Sequence, residues 1–181
     1  YKIKMFSRTG DDISLSFPEI KSLEKNMVIL DGELLVGRNY IPMNFNSLQQ
    51  RLNRKKVSLK HIDDFPAFVK LYDILYINND DLREKKWEER RNLLENWYYK
   101  NKNEFFDLSK IINFNSWKNL TAIRKNEIID EQHEGLMIKR KSSRYISGRP
   151  KGHWYKWKKD PKTVDAILMY AVCLLYTSPS P

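Results

Sequence analysis

Apolar and polar positions alternate along parts of the chain and recur at helical spacing along others. From Lys2 to Ser7, Ile3 and Met5 alternate with Lys2 and Lys4, which predicts a strand. Arg8-Thr9-Gly10-Asp11-Asp12 then reads as a turn. Pro18 to Lys25 reads as a short helix with proline in its first turn. Met27 to Gly37, MVILDGELLVG, is an apolar strand interrupted by Asp31-Gly32-Glu33. A glycine and two carboxylates inside such a strand are costly unless something uses them. Phe45 to Arg54 predicts a helix capped by Asn44 or Asn46, with Leu48 and Leu52 on one face. Phe68 to Ile77, FVKLYDILYI, is strongly β-prone. Asp81-x-x-Glu84 has the form of a capping box opening a long helix to about Asn101. Its inward side would carry Leu82, Trp87, Leu94, Trp97 and Tyr98, and Arg83, Arg90 and Arg91 would form a solvated face. Asp107 to Phe114 is a strand candidate, and Ser116 to about Asp130 a helix with Trp117, Leu120 and Ile123 inward.

Two further runs close the pattern: Glu134 to Lys139, and Trp154 to Asp160 beyond a basic loop with two glycines; Thr163 to Ala171 follows as another strand. Side chains two apart on a strand share a face, so Lys156 and Lys158 project together with Trp154, and Tyr155 and Trp157 point the other way. Two ammonium groups on one face suit a polyphosphate, because they neutralise charge that shifts between phosphate oxygens as a bond breaks. The plainer alternative is an amphipathic edge strand with solvated lysines. No internal repeat or linker divides the chain, which predicts one mixed unit of strands and helices.

Composition narrows the partner. The 181 residues carry 33 Lys+Arg against 23 Asp+Glu, a formal charge of +10 that favours a polyanion, nucleic acid first. A hydrophobic share of 41% with 13% aromatics argues against disorder. One cysteine excludes an internal disulfide framework and a cysteine-based zinc site, which predicts a reducing compartment. The longest apolar run, Ala166 to Tyr176, is too short to span a bilayer, and no partner membrane is expected. His61, His133 and His153 make no metal-ligand pattern. Carboxylates on neighbouring strands suit Mg²⁺, which brings phosphates with it. An aromatic ring nearby can stack on a purine.

Taken in order, FSRTGDD (Phe6 to Asp12), LDGELLV (Leu30 to Val36), LYDILY (Leu71 to Tyr76), EGLMIKR (Glu134 to Arg140) and WYKWKKDP (Trp154 to Pro161) resemble the ATP-dependent polynucleotide ligases of the covalent nucleotidyltransferase superfamily. FNSLQQRLNRK (Phe45 to Lys55) and DLREKKWEERRNLLE (Asp81 to Glu95) resemble the bacterial ATP-dependent DNA ligases within it. The resemblance implies an α+β fold of mixed antiparallel sheets flanked by helices, an ATP-grasp-like adenylation domain. It implies ATP as adenylate donor, Mg²⁺ or Mn²⁺ as metal, and nicked double-stranded DNA as substrate of a monomeric, cytoplasmic, nucleoid-associated enzyme. An RNA ligase, an mRNA capping enzyme and a non-catalytic nucleic-acid-binding module are the alternatives.

Carried over by residue, the resemblance implies that Arg8 contacts the nucleotide, Glu33 binds ribose or metal, and Tyr72 stacks on adenine where the family often has Phe. Glu134 would help hold the metal, Lys139 would lie near the adenylate, and Arg149 would reach a phosphate. Lys156 and Lys158 would act catalytically by gripping the α-phosphate. The alternatives are a turn residue at Arg8, a buried salt bridge at Glu33, a core aromatic at Tyr72 and a solvated side chain at Arg149. The family's nucleophilic lysine lies in a K-x-D-G motif, and no K-x-D-G occurs in this sequence. Lys2 and Lys4 do not replace it, since their flanks match the strand that follows the nucleophile. Both ends read as cut: residues 1–172 as a partial adenylation domain without the family's OB-fold, and 173–181 as translated sequencing adapter, the alternative being a Pro/Ser-rich tail. The polypeptide as written is therefore expected to be inactive in self-adenylation.

Overall fold

The computed structural model describes residues 3–21, 27–52, 54, 56–126, 135–148 and 151–158. Its centre is a pair of eleven-residue antiparallel strands, β1 (Val28–Arg38) and β3 (Ala67–Ile77). Short strands extend them: β2 (Ile41–Pro42) on β1, and β4 (Asp80–Asp81) and β5 (Phe106–Leu108) on β3, the last one parallel. The hairpin turns after β1 and β3 place Asn39-Tyr40 and Asn78-Asn79 at positive φ, the conformation of the two-residue turns whose twist matches the strands. Gly32 is explained by packing: a Cβ there would sit 2.6 Å from Val69 Cγ1.

β1 alternates as its pattern requires. Val28, Leu30, Leu34 and Val36 join the core, and Asp31 and Glu33 fall on the opposite face. β3 carries two irregularities: Leu75 and Tyr72 have no opposite number, since Ile29 and Leu30 pair with Tyr76 and Ile74, and Asp31 and Gly32 with Asp73 and Leu71. A bulge re-aims side chains. Here it lets both Tyr72 and its neighbour Asp73 reach one partner on the second sheet, as described below.

The core packs α3 (Trp87–Asn101) onto β3 and β5 through Leu94, Trp97 and Tyr98, with Leu71, Ile74 and Phe106 beneath. Trp97 and Phe106 meet edge to face at 5.7 Å. Two short helices, α1 (Phe45–Gln49) and α2 (Leu59–Asp64), lie between β2 and β3. Asn44 caps α1 by accepting from Ser47 N, and Ser58 caps α2 by accepting from His61 N. The second sheet is an antiparallel ribbon of β6 (Gly135–Lys139) and β7 (Trp154–Lys158). α4 (Trp117–Asn126) packs on it, the Arg124 guanidinium lying 4.9 Å over the Trp157 ring and donating from Nη2 to Lys158 O at 2.5 Å.

Several expectations are corrected. Residues 3–7 form no strand, only a bridge from Phe6 to Asp12, although Ile3 and Met5 do pack on the core. Of the helix expected from Pro18 to Lys25, residues 18–21 are not helical, residues 22–25 lie outside the described residues, and a single 3₁₀ turn lies earlier, at Ser14–Ser16. α3 begins at Trp87, not at Asp81, because the Asp81 carboxylate is taken by Arg83, which donates to it from Nη2 at 2.6 Å. The first N–H groups of α3 donate instead to the 140–145 loop, Trp87 N to Ser143 O at 2.7 Å and Glu88 N to Lys141 O at 3.1 Å. Arg90 and Arg91 are buried, and only Arg83 is exposed. Trp117 is 66% exposed although Leu120 beside it is buried. β5 stops at Leu108 instead of running to Phe114. Residues 127–130 and 163–171 lie outside the described residues.

Candidate functional site

The two sheets meet through a small set of side chains. Lys139, the last residue of β6, projects from the ribbon against the bulged region of β3. Its Nζ lies 3.9 Å from Asp73 Oδ2, 4.7 Å from the centre of the Tyr72 ring and 4.8 Å from the centre of the Trp154 ring. The ammonium is buried and makes no hydrogen bond among the described residues. Burial pushes the Lys139 amine below its ordinary value, and Asp73 and Asp31 pull it back only in part. Such a cation is held by ring quadrupoles and a nearby carboxylate, and lacks an acceptor of its own.

Asp31 joins three segments. It accepts from the Tyr72 hydroxyl at 2.8 Å and from the Tyr145 hydroxyl at 2.7 Å, tying β1 to β3 and to the loop between β6 and β7. Burial, followed by the Asp31 carboxylate, holds both phenols well above the ordinary tyrosine value. The Tyr145 ring packs edge-on against Trp154 at 5.4 Å, and Trp154 donates from Nε1 to Ser143 Oγ at 3.2 Å. Behind them Asp73 and Arg90 form a fully buried pair. Nε and Nη2 of Arg90 donate to Oδ1 and Oδ2 of Asp73 at 2.8 and 3.0 Å, and Nη1 donates to Lys85 O at 2.6 Å.

The residues singled out from sequence divide into groups. Tyr72 and Lys139 come together as above. Glu33 is exposed on the same face of β1 as Asp31, opposite Lys70 on β3. Lys156 and Lys158 are exposed on β7, opposite Met137 and Gly135, and alternation puts them on the ribbon face that carries Lys139 and Trp154. Arg8 is exposed in the turn closed by Ser7 N to Asp11 O at 2.8 Å. Glu134 and Arg149 lie outside the described residues. Asp31, Asp73, Arg90, Tyr145 and Trp154 belong to the cluster without having been assigned a role there from sequence. Arg90 did carry a signal: with Leu94, Trp97 and Tyr98 it falls at i, i+4, i+7 and i+8, on the apolar stripe of α3.

A cavity of about 680 Å³ beside α4 is lined by Trp117, by Ile138, Tyr155 and Trp157 of the opposite ribbon face, and by Lys139 and Lys156 of the face just described. Among the described residues no group of three or more His, Cys, Asp or Glu side chains converges, so no all-protein metal cage is present there. Glu33 offers a single exposed carboxylate, which fits the way Mg²⁺ is held by one or two carboxylates together with phosphate oxygens. Among the described residues no helix is long and apolar enough to cross a membrane.

Known proteins resemble this chain in sequence and in fold. A curated DNA ligase of Archaeoglobus fulgidus is 33% identical over 174 residues, covering 93% of this chain and 30% of that protein. A DNA ligase of Thermoplasma volcanium is 33% identical over 171 residues, covering 88% of this chain and 28% of that protein. The chain thus spans about 30% of the length of these relatives. Among solved structures, mycobacterial DNA ligase D complexed with ATP and MES superposes with a TM-score of 0.64 at 24% identity, covering 84% of this chain and 46% of that one. A structure from a study of Lig E DNA ligases gives a TM-score of 0.62 at 18% identity, covering 87% and 56%. At these identities the structures establish the shared fold. The model of the ATP-dependent DNA ligase domain matches residues 1–158, and the chain belongs to that family.

Proposed function

We propose that the chain is part of the adenylation domain of an ATP-dependent DNA ligase that seals 5′-phosphate/3′-hydroxyl nicks in duplex DNA. The observation that carries the reading is the meeting of Tyr72 and Asp73 from one sheet with Lys139 from the other at 3.9 to 4.7 Å, which supports the two sheets acting as walls of one nucleotide site. Tyr72, backed by the Lys139 ammonium and fixed through its hydroxyl to Asp31, offers a ring on which adenine stacks. Lys156 and Lys158 stand on the ribbon wall, where they neutralise charge on the α-phosphate as its bond to the leaving group breaks. Glu33, on the β1 wall, takes the ribose or holds Mg²⁺, which when bound would draw negative charge off the phosphate oxygens. Glu134, Arg8 and Arg149 complete the nucleotide contacts by family resemblance.

The +10 charge supports a nucleic-acid partner, and its binding is expected to weaken steeply with salt. A monomer in the cytoplasm, associated with the nucleoid, suits that partner. The K-x-D-G nucleophile does not occur in these 181 residues, so the polypeptide binds ATP without forming a covalent adenylate. Incubation with labelled ATP and Mg²⁺, followed by denaturing gel and by equilibrium titration, tests both halves. Reversible binding that Lys156→Ala and Lys158→Ala each weaken roughly tenfold is the expected result. A covalent adenylate that survives denaturation contradicts the placement of the nucleophile. Binding indifferent to both lysines removes them from the site.

A further inference from the structure

Arg90 does more in this fold than pair with a buried acid. Asp73 is wholly buried, and its two oxygens receive Nε and Nη2 of Arg90. Oδ1 also accepts from Ile74 N at 3.0 Å, so Oδ1 takes two donors and Oδ2 takes Nη2 of Arg90. Lys139 lies 3.9 Å from Oδ2, beyond hydrogen-bond reach, with its ammonium 4.7 and 4.8 Å from the Tyr72 and Trp154 ring centres. The Arg90 guanidinium also lies 5.7 Å from the Tyr145 ring centre, and its Nη1 is fixed by the Lys85 carbonyl. A fork so held cannot turn away from Asp73.

We propose that Arg90 is a positioning residue for Lys139: by occupying the Asp73 carboxylate it keeps the ammonium off that acid and seated between Tyr72 and Trp154. The seat matters because one of those rings is the adenine platform of the proposed nucleotide site, and to that extent the inference rests on the proposed function. If Asp73 lost its arginine, the nearest buried cation would be drawn onto it. The Tyr72 ring would then lose the charge behind it, and the ribbon would shift relative to β3.

Two measurements on the 181-residue chain test this. In the first, lysine side-chain NMR follows the titration of Lys139, identified by its disappearance in Lys139→Met. The groups around it are Asp73 and Tyr72 of β3, Asp31 of β1, Arg90 and Arg91 of α3, and Trp154 of β7. In Arg90→Met, Asp73 is left for Lys139 and the repulsion from Arg90 is gone, so the midpoint rises. In Arg90→Met with Asp73→Asn it falls back below the Arg90→Met value. Arg90→Lys, which retains a charge and one hydrogen bond, gives a smaller rise and serves where Arg90→Met fails to fold.

In the second measurement, equilibrium ATP titration compares Arg90→Lys, Lys139→Met and the double variant. Each single change weakens binding roughly tenfold, and the double variant binds no worse than Lys139→Met alone, whereas independent effects would multiply to roughly a hundredfold. A purely structural role for Arg90 predicts the multiplied loss. An unmoved Lys139 midpoint in both Arg90 variants, or a multiplied loss in the double variant, overturns the proposal. If no chain binds ATP yet the midpoint rises, the positioning of Lys139 by Arg90 is supported and the nucleotide reading of the cleft is what fails.

Discussion

Tyr145→Phe isolates the link between the ribbon loop and the central sheet. The change removes one hydroxyl and nothing else: the ring keeps its edge-on contact with Trp154 at 5.4 Å and its place beside Arg90. What is lost is a 2.7 Å hydrogen bond to the Asp31 carboxylate. A hydrogen bond to a charged group contributes about 1.5–3 kcal/mol, and the half-buried setting places this one near the lower end, about 1.5–2 kcal/mol. For a chain of 181 residues each kcal/mol moves Tm by about 2–4 °C, so thermal unfolding at neutral pH is expected to shift down by about 3–8 °C. Tyr72→Phe removes the companion bond, and the two losses are not additive because both donors share Asp31.

The same pair makes a pH prediction with a definite sign. Both phenols are held above the ordinary tyrosine value of 10.0, so the folded state keeps protons that the unfolded chain releases. The stability they contribute is complete below that value and is lost as pH rises above it. Circular-dichroism melts between neutral pH and about pH 11 should show Tm of the wild-type chain falling more steeply than that of Tyr145→Phe. A Tm for Tyr145→Phe within about 1 °C of wild type at neutral pH, with parallel pH curves, would refute the reasoning.

Other expectations follow from single contacts. Arg51→Met should cost about 3–5 kcal/mol in denaturant unfolding, because it strands the Phe65 and Ser16 carbonyls and the Glu19 carboxylate that Arg51 binds at 2.7, 2.7 and 2.8 Å; a loss under about 1 kcal/mol would show that water replaces those bonds. Gly37→Ala should destabilise by more than about 2 kcal/mol, since the new Cβ would overlap the Ile41 carbonyl oxygen and lie 2.8 Å from its carbon, and an unchanged midpoint would mean that the β1–β2 hairpin yields freely. Glu33→Gln should leave unfolding stability within about 0.5 kcal/mol, the carboxylate being exposed, and weaken ATP binding more in Mg²⁺ than in chelator; equal weakening in both would assign Glu33 to the ribose instead of the metal.

How far the sequence could be read depended on how local each cause was. β1 and β3 stood out because their apolar runs are long and β-prone, and the structure starts and stops them within a residue or two of the pattern. The Asn44 cap was legible because a cap is made by residues three apart. The start of α3 was not: its first N–H groups are satisfied by carbonyls of residues 141 and 143, more than fifty positions along the chain, and the local Asp81 signal serves Arg83 instead. Residues 3–7 alternate like a strand, but among the described residues only one bridge offers them a partner, and alternation without a neighbouring ladder is not a sheet.

The sequence by itself determined the family, the two long strands β1 and β3, and which face of β7 holds Lys156 and Lys158, because those follow from motif order and from a period of two along the backbone. Only the tertiary structure decided that Arg90 is buried against Asp73, that Asp31 joins Tyr72 to Tyr145, and that the Lys139 ammonium sits between two rings. The reason is physical: a charged side chain goes inside only where a partner compensates its lost hydration, and these partners lie 17, 41 and 114 positions apart, where no local pattern can announce them.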